Sequence, residues 1–281
     1  MMTIFNLSSY NPEAFILLGI PGLEHFHISI PFFIIYLLDF LGNAAIIYLI
    51  STERSLHEPM FFFLFILSAT DLVLSNTCIP KAMSIYWRGP QKITFPGYLT
   101  QMFFLHCNFA VDSAILLAMG FDHYVTICFP LRYTTILTHQ RITNIVIGIL
   151  SRSVVIIFPC VVLLKRLPSC GTLHMPHSYC EHIGVTQLSC ADISINIWYG
   201  FSVPIMTVLS EMILIGVSYC LIFHAIFNLP SLGAHKKALN TCGSHVCVIL
   251  IFYTPFLFSV LSHRFGHNNT LSFHIMVATS T

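Results

Sequence analysis

The sequence predicts an all-α membrane protein, a bundle of seven transmembrane helices of which six are complete and the seventh is partial. Of its 281 residues, 56% are hydrophobic and only 8% are charged. The mean hydropathy of +0.81 is too high for a water-soluble globular protein. Six apolar segments are long enough to cross about 30 Å of hydrocarbon at about 1.5 Å per residue, and lipid leaves them no alternative to helix. The segments are residues 28–50, 59–80, 99–122, 142–164, 197–223 and 238–262.

A seventh apolar run begins at Leu271 and stops at Thr281. Its length corresponds to only about 16 Å of helix, half a bilayer. We therefore expect the chain to be truncated inside its seventh helix, residues 271–281. The predicted organisation is an extracellular N-terminal tail, residues 1–27, followed by one transmembrane bundle, residues 28–281.

The orientation of the bundle rests on the first helix, because Lys and Arg counts in the loops are nearly balanced. No Lys or Arg precedes that helix, whereas Arg54 follows it. The sequon Asn6-Leu7-Ser8 predicts glycosylation at Asn6 if this end is outside, and a cysteine-rich loop at residues 165–196 fits an oxidising compartment. Together these features predict a multi-pass protein of the plasma membrane with an extracellular N-terminus.

Charge and motif content exclude several classes of function. The net charge is +1 and the chain has no basic run, so nucleic acid is not an expected partner. No constellation of catalytic side chains is present, and we expect neither an enzyme nor a resident cofactor. The expected surroundings are the lipid bilayer.

Polar residues close the third apolar segment, in the stretch Met119-Gly120-Phe121-Asp122-His123-Tyr124-Val125-Thr126-Ile127-Cys128. Charges are tolerated where a helix leaves the bilayer. The stretch resembles the end of the third helix in odorant receptors, which are seven-helix G-protein-coupled receptors with the pattern Met-Ala-x-Asp-Arg-Tyr-Val-Ala-Ile-Cys. The resemblance implies that Asp122, His123 and Tyr124 form a switch for G-protein coupling. The alternative is that they are ordinary polar residues at a helix end.

Other stretches carry the same resemblance in the same order along the chain. The segment at residues 15–24 matches the tail of the class I, or fish-like, branch of odorant receptors. The chain is therefore identified as a member of this family, whose fold is a rhodopsin-like seven-helix bundle. The remaining matches are residues 42–43 with 67–72, residues 56–64, 236–245 and 263–266, with class I features also at 196–200 and 253–255.

Two embedded polar residues match positions of a known receptor network. Asn43 and Asp71 lie inside the first and second apolar segments, where such groups need partners in the bundle interior. The resemblance implies a hydrated network that rearranges on activation and that in some receptors holds a sodium ion near the residue matched by Asp71. The alternative is a hydrogen bond that only packs the helices.

Three loop cysteines, Cys170, Cys180 and Cys190, match the family at ten-residue spacing. The resemblance implies a disulfide between Cys170 and Cys190, with Cys180 joined to a cysteine at the outer end of the third helix. Tyr98 occupies that partner position, and Cys107 lies about 13 Å deeper along the helix, too far for a disulfide. We therefore expect Cys180 to be unpaired unless Cys78 or the loop rearranges.

Ligand recognition is predicted at two cationic or ionisable residues. His106 matches the family pattern Met-Phe-Phe-x-His, and Arg264 lies in a matching His-Arg-Phe-Gly. In class I receptors the resemblance implies that this arginine binds a carboxylic-acid odorant, because guanidinium pairs bidentately with carboxylate. The alternative is that Arg264 only anchors its helix at the membrane interface.

The cytoplasmic ends of the fifth and sixth helices supply the remaining switch residues, Tyr219, Lys236 and Lys237. Lysines at such a helix end can meet lipid phosphates or an acidic partner. The resemblance implies an odorant receptor that couples to the stimulatory olfactory G protein, a heterotrimer, when the sixth helix swings outward. For the two lysines the alternative is membrane anchoring alone.

Three other functions stay open at this point. His123 lacks the permanent charge of the family's arginine; with Tyr98 and the truncated seventh helix, this favours a degenerate receptor without signalling. A second alternative is a membrane protein that only pairs with intact receptors. A third is a small-solute transporter fragment with a polar path formed by Asp39, Asp71, Asp112 and Glu211.

Overall fold

The computed structural model describes residues 14–18, 26–168, 174–175, 186, 189–227 and 232–265. This part of the chain contains six helices that are long and apolar enough to cross a membrane, which confirms the predicted membrane-helix fold. The predicted seventh segment, residues 271–281, lies outside the described residues. The helices are α1 (Phe26–Thr52), α2 (Pro59–Arg88), α3 (Phe95–Cys128), α4 (His139–Lys165), α5 (Ser194–Phe227) and α6 (Leu232–Phe265).

The helices extend past the apolar segments from which they were predicted. The prediction ended the second helix at residue 80, but α2 continues through Pro80 to Arg88. Helix ends reach water and headgroups, where polar side chains are tolerated, so an apolar run marks the hydrocarbon rather than the helix. Proline also lies inside α1, α4, α5 and α6, since neighbouring groups in a bundle can satisfy the freed carbonyls.

A three-stranded sheet joins three loops and was not predicted. Strand β1 (Ala14–Leu17) pairs antiparallel with β2 (Gln91–Thr94) and parallel with β3 (His174–Met175). The sequence analysis placed β1 in the N-terminal tail without secondary structure. The strand forms because its backbone groups find partners far along the chain, and no local pattern reveals such pairing.

The chain forms two compact units by its internal contacts. The first unit comprises the described parts of residues 1–40, 73–108 and 153–205. Its core contains Phe15 and Leu17, alternate residues of β1, packed with Tyr98 and Met102 of α3. The rings of Phe15 and Tyr98 meet edge to face, with centroids 5.3 Å apart. Tyr98, at the position of the family's disulfide cysteine, is therefore a core aromatic residue.

The second unit comprises the described parts of residues 41–72, 109–152 and 206–281. One apolar cluster joins α2, α3 and α4 around Phe63 and Ile115. Another joins α3, α5 and α6 around Leu116 and Ile222. Because α3 contributes to both clusters, it is the central helix of this unit.

Candidate functional site

A hydrogen-bonded polar network joins four helices of the second unit. Ser113 of α3 donates to the Glu211 carboxylate of α5. Nη1 of Arg152, on α4, lies 2.6 Å from Oε1 of Glu211. The hydroxyl of Tyr253, on α6, lies 2.7 Å from Oγ of Ser113. We call these four residues the middle network, since Glu211 lies near the centre of the 34-residue α5.

The middle network places a paired charge inside an apolar bundle. The Glu211 side chain is only 2% exposed, and that of Arg152 is 39% exposed. Embedded charges are costly unless they are paired, and here each charge has its counter-ion. Because Ser113 has one hydroxyl proton, which Glu211 accepts, Tyr253 donates to Ser113. The network thus fixes the direction of the bond that reaches α6.

A second buried acid, Asp112, lies near Asp71, one of the two predicted network residues. The Thr70 hydroxyl of α2 is hydrogen-bonded to the carboxylate of Asp112 on α3, and both residues are buried. Asn43 and Asp71 are half-buried in the same unit. Asp112, to which the sequence analysis gave only a role in a transporter path, therefore links α2 to α3.

The polar end of α3 is held by the turn that follows it. Asp122 is buried, and its Oδ1 accepts a hydrogen bond of 2.9 Å from the Tyr133 hydroxyl. Tyr133 begins a short helix, Tyr133–Ile136, outside the membrane-spanning segments. Burial and the neighbouring Asp122 carboxylate raise the pKa of Tyr133, so it remains a protonated donor at neutral pH.

The neighbouring residue of α3 faces the fifth and sixth helices. The ring centroids of His123 and His245, the latter on α6, are 5.1 Å apart and the rings are nearly perpendicular. The Tyr219 hydroxyl of α5 lies 2.7 Å from Nδ1 of His245. Asp122, His123, Tyr133, Tyr219 and His245 together are called the inner cluster.

Sequence comparison identifies the family to which this arrangement belongs. The olfactory receptor family profile matches residues 32–280. Human olfactory receptor 52H1 is 66% identical over 279 residues, covering 99% of this chain and 89% of the relative. Human olfactory receptors 52B2 and 52B4 are 53% and 50% identical, each over 99% of this chain and over 86% and 89% of their own length. The chain belongs to the olfactory receptor family.

Several predictions from the sequence are thereby confirmed. The protein is a G-protein-coupled receptor rather than an enzyme, and a multi-pass protein of the plasma membrane with an extracellular N-terminus. Odorants and G proteins are the partners of this family. Membership replaces the transporter alternative, and two acids of its supposed polar path, Asp112 and Glu211, are hydrogen-bonded inside the receptor.

The structure brings some of the predicted switch residues together. His123 and Tyr219 both contact His245, and Asp122 lies beside His123. Tyr124 is half-buried and meets the Phe129 ring edge to face at 5.7 Å. Lys236 is exposed on α6.

The other predicted site residues lie outside the two clusters or outside the described part of the chain. His106 is half-buried on α3 in the first unit. Cys190 forms a disulfide whose partner is outside the described residues, whereas the seven other described cysteines, among them Cys78 and Cys107, are free. The pairing of Cys170 with Cys190 stays a prediction. Asn6, Cys170, Cys180 and the side chains of Lys237 and Arg264 lie outside the described part of the chain.

Sequence reasoning assigned no role to five residues of the two clusters, one of which, Tyr253, appears only within a quoted class I feature. Arg152 and Glu211 are opposite charges inside two apolar segments, which by itself indicates a pair, but Arg152 received no role. His245 lies in a quoted motif without a function assigned to it. Nothing in the sequence points to Tyr133 or to Ser113, because only the folded chain brings them to the two acids.

Proposed function

We propose that this receptor binds small carboxylic acids and signals through a stimulatory G protein by releasing α6 from two hydrogen bonds. The observation that carries the proposal is the pair of links to α6 within the second unit. Ser113 accepts from Tyr253, and Tyr219 is bonded to His245, eight residues earlier on α6. Outward movement of α6 would break both links.

The free energy of these two hydrogen bonds is in the range expected for a receptor switch. A typical hydrogen bond contributes about 0.5–1.5 kcal/mol net, so two contribute about 1–3 kcal/mol. Coupling between an effector and a distant site is usually about 1–3 kcal/mol. A ligand that prefers the released arrangement by this amount would shift the population of the receptor toward it.

Carboxylic acids are the proposed ligands because of Arg264 and His106. An arginine binds a carboxylate with two parallel hydrogen bonds, which a point charge cannot reproduce. Arg264 lies in the last turn of α6, which ends at Phe265. A ligand contact at this end of α6 would act on the same helix that carries Tyr253 and His245.

The opposite end of α6 carries the proposed contacts for the G protein. Lys236 and Lys237 lie in its first two turns, where positive charge can meet an acidic partner. We assign Asp122, His123 and Tyr124 to the same coupling surface. A sodium ion near Asp71 and a disulfide between Cys170 and Cys190 complete the proposal.

The first experiment measures cAMP in cells that contain the olfactory stimulatory G protein. The ligands are saturated carboxylic acids from C3 to C10, and surface staining reports delivery of the receptor. We expect a response that Arg264→Ala abolishes. The matched control is Arg166→Ala, which removes an exposed arginine after α4 and should leave the response unchanged. A response that survives Arg264→Ala would contradict the acid site.

A receptor that binds odorant without signalling is the second candidate, and His123 favours it. Its side chain lies 3.9 Å from Asp122, where the family's arginine would place a permanent charge. The test is His123→Arg in the same assay. A silent wild type and a responsive variant at equal surface staining would establish this candidate. Silence of both well-delivered proteins would overturn the coupling proposal.

A further inference from the structure

Two buried imidazoles face each other across α3 and α6 in the inner cluster. His123 is 5% exposed and His245 is 4% exposed, and their ring centroids are 5.1 Å apart at an interplanar angle of 88°. Both belong to the second unit. Two imidazoles that share one tetrahedral zinc ion, with Zn–N bonds of about 2.0–2.1 Å, have their ring centres roughly 5 Å apart. The spacing therefore fits a shared ion.

The second nitrogen of each ring already has a group that would orient it. Nδ1 of His123 lies 3.9 Å from the Asp122 carboxylate, and Nδ1 of His245 lies 2.7 Å from the Tyr219 hydroxyl. Nε2 of His245 is buried without a hydrogen-bond partner in the described structure. Metal-binding histidines typically use one ring nitrogen for the ion and direct the other to a carboxylate or another polar group.

We propose that His123 and His245 bind one transition-metal ion through their Nε2 atoms and so clamp α3 to α6. Neutral imidazole is a good ligand for Zn²⁺, Cu²⁺ and Ni²⁺. The described residues contain no group of three His, Cys, Asp or Glu side chains that could hold a metal, so within that part of the chain the site has two protein ligands and binds the ion weakly. The ion is therefore exchangeable and is removed by a chelator.

The proposed metal site depends on His123, a position at which the family pattern has arginine. Arginine is always charged and offers no lone pair to a metal, so a receptor with the family's arginine lacks one of the two ligands. The histidine at position 123 thus replaces a permanent cation with a metal-dependent one. The effect on signalling rests on the function proposed above, since the clamp opposes release of α6.

The test is the thermal unfolding of the purified receptor in detergent as ZnCl₂ is added. We expect zinc to raise the unfolding midpoint of the wild type and EDTA to reverse the rise. His123→Arg restores the family residue and should abolish the rise, as should His245→Ala. The control Gly120→Ala changes a neighbour of His245 without clashing, because its Cβ would lie 3.8 Å from that ring, and should keep the rise.

A further variant separates this site from other histidines and cysteines. Tyr219→Phe removes the group that orients His245 and should weaken zinc binding about 10- to 100-fold without abolishing it. An equal zinc effect in the wild type and in His123→Arg would overturn the site, as would the absence of an effect in the wild type.

The unfolding measurement involves no G protein, so its outcome is independent of the function proposed above. Addition of zinc to membranes that contain the receptor and G protein then tests the link between the two. Loss of the acid response on addition of zinc in the wild type and in Gly120→Ala, but not in His123→Arg, supports the clamp. Zinc binding that leaves the response intact overturns the release of α6 as the signalling step.

Discussion

The middle network and the inner cluster both connect α6 to its neighbours, yet they use different chemistry. In the middle network the bond to Tyr253 ends on an ion pair between Arg152 and Glu211. In the inner cluster the bond to α6 runs between a phenol and an imidazole, Tyr219 and His245. One link ends on an ion pair whose carboxylate is buried, and the other joins a phenol and an imidazole, two side chains that are ordinarily uncharged or mostly uncharged at neutral pH.

The ion pair of the middle network and the hydrogen bonds that reach α6 should therefore respond differently when α6 moves. A buried ion pair resists separation, because removal of either partner leaves an uncompensated charge in the apolar interior. A single hydrogen bond of the inner cluster contributes only about 0.5–1.5 kcal/mol. We therefore expect both hydrogen bonds to α6 to break when this helix moves outward, while the Arg152–Glu211 pair between α4 and α5 stays intact.

The largest effect should come from the ion pair itself. Arg152→Ala leaves the Glu211 carboxylate, 2% exposed, without its counter-ion. We expect a loss of about 3–5 kcal/mol in the free energy of unfolding. The unfolding midpoint in detergent and the fraction of receptor at the cell surface measure this loss.

The double variant Arg152→Met with Glu211→Leu is the control for that experiment. Replacing both charges by apolar side chains removes the stranded carboxylate, and such replacements are often neutral or stabilising. The double variant should therefore recover most of the stability lost in Arg152→Ala. If it is as unstable as the single variant, side-chain packing rather than charge holds this level together.

The same contrast shows how much the sequence alone could predict. Membrane helices follow from the length of apolar runs, so the existence of α1 to α6 could be predicted. Their ends could not, because α2 reaches Arg88 through Pro80 and a polar surface. An embedded charge predicts that a partner exists, as for Glu211, but the choice of Arg152 depends on how α4 and α5 are rotated.

The inner cluster was only partly predictable for the same reason. The motif around Asp122 marks the end of α3 and its polar residues, and the motif at residues 236–245 contains His245. Neither motif contains Tyr133, which reaches Asp122 through the turn formed by Pro130–Arg132. The strand β1 likewise needs β2 and β3, which are distant in the sequence.

A smaller loss of stability is expected when the hydrogen bond between Tyr133 and Asp122 in the inner cluster is removed. Tyr133→Phe removes the hydroxyl that donates to Oδ1 of buried Asp122. Hydrogen bonds to charged groups contribute about 1.5–3 kcal/mol, and the unfolding free energy should fall by that amount. Thr135→Ala, which removes an exposed hydroxyl bonded to the Arg132 carbonyl, should change it far less.

The pH dependence of the Tyr133 effect has a definite sign. Folding raises the pKa of Tyr133, so the stabilisation is fully present below the ordinary tyrosine value near 10 and is lost as the pH rises toward the folded value. The difference in unfolding free energy between the wild type and Tyr133→Phe should therefore be constant between about pH 8 and 9 and shrink above about 10. A difference that grows in alkali would contradict this assignment.

The smallest losses of stability are expected when either of the two hydrogen bonds to α6 is removed. Tyr219→Phe leaves His245 buried with neither ring nitrogen hydrogen-bonded, because Nε2 already lacks a partner in the described structure, and should cost about 1–3 kcal/mol. Tyr253→Phe leaves Ser113 bonded to Glu211 and should cost only about 0.5–1.5 kcal/mol. Tyr48→Phe, at an exposed tyrosine of α1, should lie within about 0.5 kcal/mol of the wild type. Unfolding midpoints of the three variants give the order of these losses. A larger loss for Tyr253→Phe than for Tyr219→Phe would contradict this order. It would show that the Tyr253 hydroxyl itself stabilises the middle network and that the ion pair alone is insufficient.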